Sequence, residues 1–237
     1  MKQYKQAFID YKKLKSSPNE HEKKLFSRAQ KYIKKIAPIT GVEMIGICNS
    51  LSMYGTHKES DIDLFIVAKP HLLWWVRVRT TWIFWRLGVW RHGSDIAGHF
   101  CLSFFATTKA LNFEKIAIQD DIYLYYWIYF FKPIIDNNQT YERFLQENSW
   151  VEIDREQKQE NLKYRMNLPE KKSNIFRSTF CIMANYIFMV LFFPKTYISY
   201  LRSGKPKGII LSNNMLKFHG NDQRETVRDG VFGKEKE

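Results

Sequence analysis

Two short apolar runs with an acidic pair between them constrain the fold more than any other feature of the sequence. Residues 42–48 (VEMIGIC) predict a largely buried strand, and a second strand is expected over about 61–67. Asn49 and Ser50 follow the first run, and a short apolar turn of helix and the polar loop 55–60 come before the second. The chain must therefore turn back and place two neighbouring strands beside each other.

Helical patterns surround this pair of strands. An apolar face at helical spacing predicts helices over 2–14 and from about residue 20 to Pro38, with Ser17 and Glu20 forming a capping box before the second helix. Further helices are expected over 71–90, from Asp120 or Asp121 to 131, and from 141. A third strand is predicted over 98–105, and a polar break over 169–173. The pattern predicts an α+β (mixed α/β) fold, a small mixed β-sheet flanked by helices with a helical C-terminal part.

The charge balance favours an anionic partner without identifying one. Lys and Arg outnumber Asp and Glu by 37 to 24, which gives a formal charge of +13. Nucleic acid or a nucleoside triphosphate would be attracted to such a chain, although lysines on solvated helix faces also serve solubility. The three cysteines, Cys48, Cys101 and Cys181, lie in apolar runs without CxxC spacing, and the N-terminus has no continuous apolar signal segment. Reduced thiols and a cytoplasmic location are expected.

Two apolar stretches raise the question of membrane insertion. Residues 71–90 contain five tryptophans, but Arg77, Arg79 and Arg86 interrupt them. Each arginine would cost about 2.5 to 3.5 kcal/mol near the centre of a bilayer. Residues 179–193 are more apolar but shorter than the roughly 20 residues that a span needs. A core helix is the favoured interpretation and no stable membrane insertion is expected, with a membrane-associated protein anchored by residues 180–193 as an alternative.

The triplet Asp61-Ile62-Asp63 is the strongest chemical signal. Alternate residues of a strand point to the same face, so the two carboxylates are predicted to hold one hard cation, Mg²⁺ or Mn²⁺. A pair of solvated acids at a strand edge is the alternative for an isolated triplet. Ten residues separate Ser50 from Asp61, and Ser50 lies at the start of a helical turn where backbone amides favour phosphate. Asn49 and Ser50 are therefore the predicted phosphate-binding residues, with ordinary helix capping as the alternative.

The residues of this region resemble a known superfamily. The run GICNSLSMYGTHKESDIDLFIV resembles the signature of DNA polymerase beta-like nucleotidyltransferases, a strand, a Gly-Ser turn, a short helix and an Asp-x-Asp pair. A wider set of segments resembles uncharacterised bacterial nucleotidyltransferase-domain proteins. These segments are VEMIGICNSLSM, SDIDLFIVAKP, the Trp/Arg-rich helix, CLSFF, KPIID, TYERFLQENSWV and LKFHGNDQR.

The resemblance implies a mixed sheet of the nucleotidyltransferase type and transfer of a nucleoside monophosphate from an NTP. Asp61 and Asp63 would hold the metal ions, while Ser50 and adjacent amides would hold the β- and γ-phosphates. The acceptor would be an RNA, a protein or a small molecule. The implied organisation is an N-terminal nucleotidyltransferase core over 1–118 and a mostly helical region over 119–237.

Two departures from the family pattern bear on activity. Asn49 replaces the usual glycine of the turn, and asparagine tolerates positive φ better than most residues. The third carboxylate of active members has no counterpart within 98–105, where the alternating face carries His99, Cys101, Ser103 and Phe105. Asp95 is the nearest acid and the predicted substitute. Without it, a catalytically weak or inactive nucleotide- or RNA-binding protein on the same fold is the alternative.

Several basic residues have weaker claims to a role. His57 precedes the acidic pair in a loop, and His99 lies on the third strand among aromatic residues. Arg77, Arg79, Arg86 and Arg91 would form either a basic wall for phosphate or one solvated side of the tryptophan-rich helix. No role follows from the sequence for His219 or Asp222.

Overall fold

The protein folds as an α+β structure in which helices flank one six-stranded sheet. The computed structural model describes residues 1–93, 95–168, 175–220 and 222–233, with the backbone alone over 175–177. The helices are α1 (Lys5–Lys12), α2 (Glu20–Ile36), α3 (Asn49–Ser52), α4 (Leu73–Arg86), α5 (Ile122–Tyr129), α6 (Thr140–Glu147), α7 (Arg155–Leu162), α8 (Ile175–Arg202) and α9 (Arg224–Phe232). The strands are β1 (Val42–Ile47), β2 (Ile62–Ala68), β3 (Phe100–Thr107), β4 (Lys132–Asp136), β5 (Ile209–Leu211) and β6 (Met215–Phe218). Short 3-10 helices cover Lys2–Tyr4 and Glu114–Ile116.

The sheet is mixed, with the strand order β4-β1-β2-β3-β6-β5. Strands β2 and β3 are parallel, and α4 makes the crossover that a parallel pair requires. Every other neighbouring pair is antiparallel. The predicted strands β1, β2 and β3 lie together at the centre, and their residues are almost all buried. The acidic pair therefore lies at the end of a central strand.

Two hydrophobic clusters cover the two faces of the sheet. One face packs against α2, α4 and α8, and the other packs against α1, α5, α6 and α9. The second cluster is rich in aromatic rings, several of which surround Phe65 of β2. Because helices cover both faces, the central strands are mostly apolar on both sides rather than alternating.

The C-terminal region contributes strands that the sequence pattern did not predict. Strand β4 pairs with β1, and β6 pairs with β3. The predicted boundary at 118/119 falls between β3 and α5, so strands from both sides of it form one sheet. Strands β4, β5 and β6 have only five, three and four residues, and strands of this length are too short to show a clear period-2 pattern.

Three local predictions need correction. The cap of α2 is Asn19, which shares a capping box with Glu22, rather than Ser17 with Glu20. The helix predicted over 71–90 covers only Leu73–Arg86, with Leu73, Trp74, Val76, Thr80 and Phe84 buried, and Leu87 just beyond it is 41% exposed. The expected core helix over 179–193 lies within α8, which packs on one side only and leaves most of its apolar residues exposed. The predicted break over 169–173 lies outside the described residues.

Candidate functional site

The site lies where β2 and β3 begin, on the aromatic face of the sheet. Asp63 of β2 is in register with Cys101 of β3. The register shifts between this pair and the next one, Phe65 with Phe104, so β3 holds one extra residue there. Such a bulge redirects side chains next to it. Ser103 consequently lies beside Cys101, with their Oγ and Sγ atoms 3.2 Å apart.

Asp63 is a buried carboxylate held by polar neighbours. The residue is 8% exposed, and the Nε2 atom of His219 lies 3.9 Å from its Oδ1 atom. Burial alone would raise the pKa of Asp63, but the neighbouring polar side chains of His219, Asn49 and Cys101 lower it below the ordinary value. The neighbours of Asp63 therefore favour its ionised form.

Asp61 has the opposite electrostatic balance. Burial and the negative charge of Asp63 raise its pKa, and the guanidinium of Arg91 offsets part of this rise. The Nη1 atom of Arg91 lies 2.6 Å from Oδ2 of Asp61. Because Asp63 acts on Asp61 through its charge, the two carboxylates share one electrostatic environment. The two negative charges repel each other, and a basic side chain beside each carboxylate offsets part of this repulsion. A cation bound between the carboxylates would offset it directly.

The turn before the acidic pair has the conformation that the substitution by asparagine predicted. Asn49 has a φ of 56°, in the left-handed region. Its Oδ1 atom accepts a hydrogen bond of 3.1 Å from the hydroxyl of Tyr123, and its side chain also helps to lower the pKa of Asp63. Asn49 thus links Tyr123 of α5 to the carboxylate, a contact that glycine would not make.

Ser50 lies in the same turn, at the wall of a cavity. Helix α3 is a single turn of four residues, so its dipole contributes little to phosphate binding. The neighbouring cavity of about 400 Å³ supplies stronger attraction. It is lined by Asn49, Ser50, His219 and Asp222 together with the basic side chains of Lys12, Lys217 and Arg224.

Two lysines of this cavity lack a carboxylate partner. Burial lowers the pKa of Lys12 and of Lys217. Neither ammonium group forms an ion pair within 4 Å in the part of the chain that the structure describes. Arg224, in contrast, is already paired with Asp121 and Asp222. The cavity therefore carries uncompensated positive charge, which an anionic ligand would neutralise.

The predicted third acid does not lie in this arrangement. Asp95 has an exposed side chain whose ionic neighbour is His92, 4.0 Å away. Cys101 occupies the position on β3 next to Asp63, and burial raises the pKa of its thiol. Asp222 lines the cavity, but its carboxylate is held by the Arg224 guanidinium at 2.7 to 3.0 Å.

The donors around Asp63 are suited to a wider range of metals than Mg²⁺ alone. One ligand atom from each of Asp63, Cys101 and His219 lies within 4.8 Å of the others. Carboxylates suit Mg²⁺ and Mn²⁺, whereas imidazole and thiolate select softer ions such as Zn²⁺. This group contains Asp63 but not Asp61, and its imidazole and thiol suit a softer ion than carboxylates alone would.

The remaining basic candidates do not form one wall. Arg77 turns into the protein, 3.9 Å from the ring centre of Phe218, and burial lowers its pKa to about 10. Arg79 and Arg86 lie over tryptophan rings of their own helix. His57 hydrogen-bonds to Ser60, and the side chain of His99 hydrogen-bonds to the carbonyl oxygen of Ala97. Only Arg91 of the predicted arginines contacts the acidic pair.

Sequence reasoning missed the basic side chains that complete the site. His219 lies just beyond β6, a strand of four residues, and Lys217 lies two residues earlier on the same strand. The alternation in LKFHG was the available signal, because it places both residues on one face. This alternation could not place the two residues at the site, because the pairing of β6 with β3 is not evident from the sequence.

In comparisons with known proteins, no family model, no curated protein and no solved structure matches this chain. The superfamily resemblance of the sequence stays a prediction. The functional argument therefore rests on the geometry of the site.

Proposed function

We propose that this protein is a metal-dependent nucleotidyltransferase, which transfers a nucleoside monophosphate from an NTP to an acceptor. One observation carries the proposal: Asp63, whose negative charge also acts on Asp61, lies beside His219, and His219 lines a cavity with two lysines that form no ion pair among the described residues. A divalent cation suits the first feature and a triphosphate suits the second. A Mg²⁺–NTP complex combines both charges in one ligand.

In this proposal each side chain has a role set by its position. Asp61 and Asp63 hold Mg²⁺ or Mn²⁺, which offsets the charge that develops on the phosphates. Ser50 and the adjacent amides bind phosphate oxygens from the turn, while Lys12 and Lys217 attract the triphosphate from the cavity walls. Arg91 balances the charge of Asp61 when no cation does, and it must release one oxygen when the metal binds.

A second candidate function is nucleotide binding without transfer. It is favoured by the thiol of Cys101, which stands beside Asp63 where an acid is expected to activate the acceptor. A thiol with a raised pKa is a weak general base at neutral pH. The Nε2 atom of His219 lies 3.9 Å from the Asp63 carboxylate, so proton transfer from an acceptor would fall to this imidazole.

The test is metal-dependent label transfer. Purified protein is incubated with each α-³²P-labelled NTP, cell extract as acceptor source, and Mg²⁺, Mn²⁺ or Zn²⁺. Asp61→Ala/Asp63→Ala should lower transfer by at least about a hundredfold, because the metal supplies several kcal/mol of charge stabilisation. Asp10→Ala/Asp229→Ala is the matched control, since it removes two exposed acids from α1 and α9.

The outcomes separate the candidates. Equal transfer by the wild type and the Asp61/Asp63 variant would refute the proposal. Metal-dependent binding of NTP that needs the same two acids, with no transfer to any fraction of the extract, would favour the second candidate.

A further inference from the structure

The outer side of α8 is an uninterrupted apolar surface. Eight apolar residues follow one another along it at spacings of three and four, apart from the adjacent Val190 and Leu191. They are Phe180, Met183, Ile187, Val190, Leu191, Pro194, Ile198 and Leu201. At 1.5 Å per residue this stripe is about 32 Å long. Soluble monomers rarely expose a continuous apolar patch of this extent, so something covers it.

Helix α8 is long and apolar enough to cross a membrane by length and composition, but its other side is fixed to the protein. Cys181 and Asn185 are buried, and Oδ1 of Asn185 accepts hydrogen bonds from the backbone N–H groups of Trp74 and Trp75. Trp75 stacks on Phe188 with ring centres 6.1 Å apart. Lipid cannot surround a helix held in this way, but it can cover the outer side.

The charges beside the stripe identify the partner. Helices α4 and α8 contain no Asp or Glu, although acids make up 24 residues of the chain, and the exposed charged side chains that the structure describes on them are those of Arg86, Lys195 and Arg202. Beyond α8, Lys205 and Lys207 are exposed as well. A second copy of the chain would bring the same positive charges against each other. An anionic surface would meet them with opposite charge.

Aromatic and arginine side chains of α4 extend the same chemistry. Trp82 and Trp85 are exposed, and the guanidinium groups of Arg79 and Arg86 lie over the ring of Trp82. Tryptophan and arginine are favoured where hydrocarbon meets lipid headgroups, because the ring or stem is apolar and the polar end reaches water.

We infer that this face, the outer side of α8 with Trp82 and Trp85 of α4, docks on an anionic phospholipid bilayer with α8 in the plane of the membrane. The apolar stripe enters the boundary between headgroups and acyl chains, and the basic residues contact lipid phosphates. Asp63 and its cavity lie on the opposite face of the sheet, so docking leaves them open to water. The inference does not depend on the proposed chemistry.

The test is co-sedimentation with vesicles of phosphatidylcholine containing about one third phosphatidylglycerol. The wild type should bind, and Val190→Glu/Leu191→Glu should bind at least about tenfold more weakly, because two charges then enter the apolar boundary. Both side chains are more than 60% exposed, at 67% and 62%, so the variant should fold normally by circular dichroism. Lys34→Gln/Lys35→Gln is the control, since it changes the net charge by the same amount on the exposed side of α2.

Other results would overturn the inference. The first is a wild type that stays in the supernatant, in particular one that elutes as a dimer. The others are a glutamate variant that binds as well as the wild type, and a lysine control that loses as much binding as the glutamate variant. Vesicles of phosphatidylcholine alone should bind at least about tenfold less. Equal binding to vesicles of phosphatidylcholine alone would show that docking does not require an anionic surface, and would contradict that part of the inference.

Discussion

At the scale of single residues, the two carboxylates of the site differ in what ionisation does to stability. The pKa of Asp63 is lowered, so its ionised form is stabilised by folding. The pKa of Asp61 is raised by burial and by Asp63, so its ionised form is destabilised by folding. Opposite pKa shifts in two neighbouring carboxylates are expected at a functional site that binds a cation.

Substitutions of the two carboxylates are predicted to change the free energy of unfolding in different directions. At pH 7, Asp63→Asn should lower the free energy of unfolding, because a favourable ionised group is lost. Asp61→Asn should leave it unchanged or raise it, because an unfavourable charge is removed while the amide still accepts a hydrogen bond from Arg91. Urea unfolding at pH 7 measures both.

A pH series supplies the control. The contribution of Asp63 is present above the unfolded pKa of about 3.9 and is lost as the pH falls through its lower folded pKa. The penalty of Asp61 appears as the pH rises through its higher folded pKa. Each variant should therefore approach the wild type in acid, and a difference from wild type that is constant with pH would contradict the electrostatic explanation.

At the scale of elements, a buried glutamate joins the start of α2 to the loop that leads to the acidic pair. Glu22 is fully buried and accepts hydrogen bonds from the backbone N–H groups of Asn19 and Thr56 and from the Thr56 hydroxyl. The Lys15 ammonium lies 2.9 Å from the same carboxylate. The cap of α2 thus fixes a loop that the sequence pattern treated as separate.

Replacing this glutamate should be costly. Glu22→Ala leaves several buried donors and one ammonium unpaired, so the free energy of unfolding should fall by about 3 to 5 kcal/mol. Urea denaturation at neutral pH measures the change. Glu20→Ala, in the same first turn but with an exposed side chain, should leave stability essentially unaltered. A similar loss in both variants would assign the effect to helix propensity or the dipole instead.

At the scale of the whole molecule, the two regions predicted from the sequence share one sheet. Strand β4 covers the outer edge of β1, and β6 covers the outer edge of β3. Helices α5 and α6 supply much of the aromatic cluster that covers β2. A piece ending at residue 118 would expose both edges and one face of its sheet.

This arrangement predicts one cooperative unit. The full chain should unfold in urea in a single transition, with coincident curves from circular dichroism and tryptophan fluorescence. A fragment of residues 1–118 should show no cooperative transition, because unpaired edges and an uncovered apolar face destabilise it. Two separate transitions in the full chain, or a stably folded fragment, would show independent domains.

The sequence by itself determined the elements whose signals are local. Apolar periodicity located α2 and the strands β1 to β3, and the properties of asparagine anticipated the positive φ at position 49. The acidic pair was evident because its two members are two residues apart on one strand. Each of these depends on neighbouring residues, which the order of the chain displays directly.

Only the tertiary structure decided which distant residues meet. Strand β6 brings His219 and Lys217 to Asp63 and its cavity, and no local pattern encodes the pairing of two strands that far apart. The exposure of α8 was decided in the same way, since an apolar helix looks the same in sequence whether protein covers all of it or one side. Long-range packing sets both outcomes, because burial depends on which surfaces meet rather than on the residues alone.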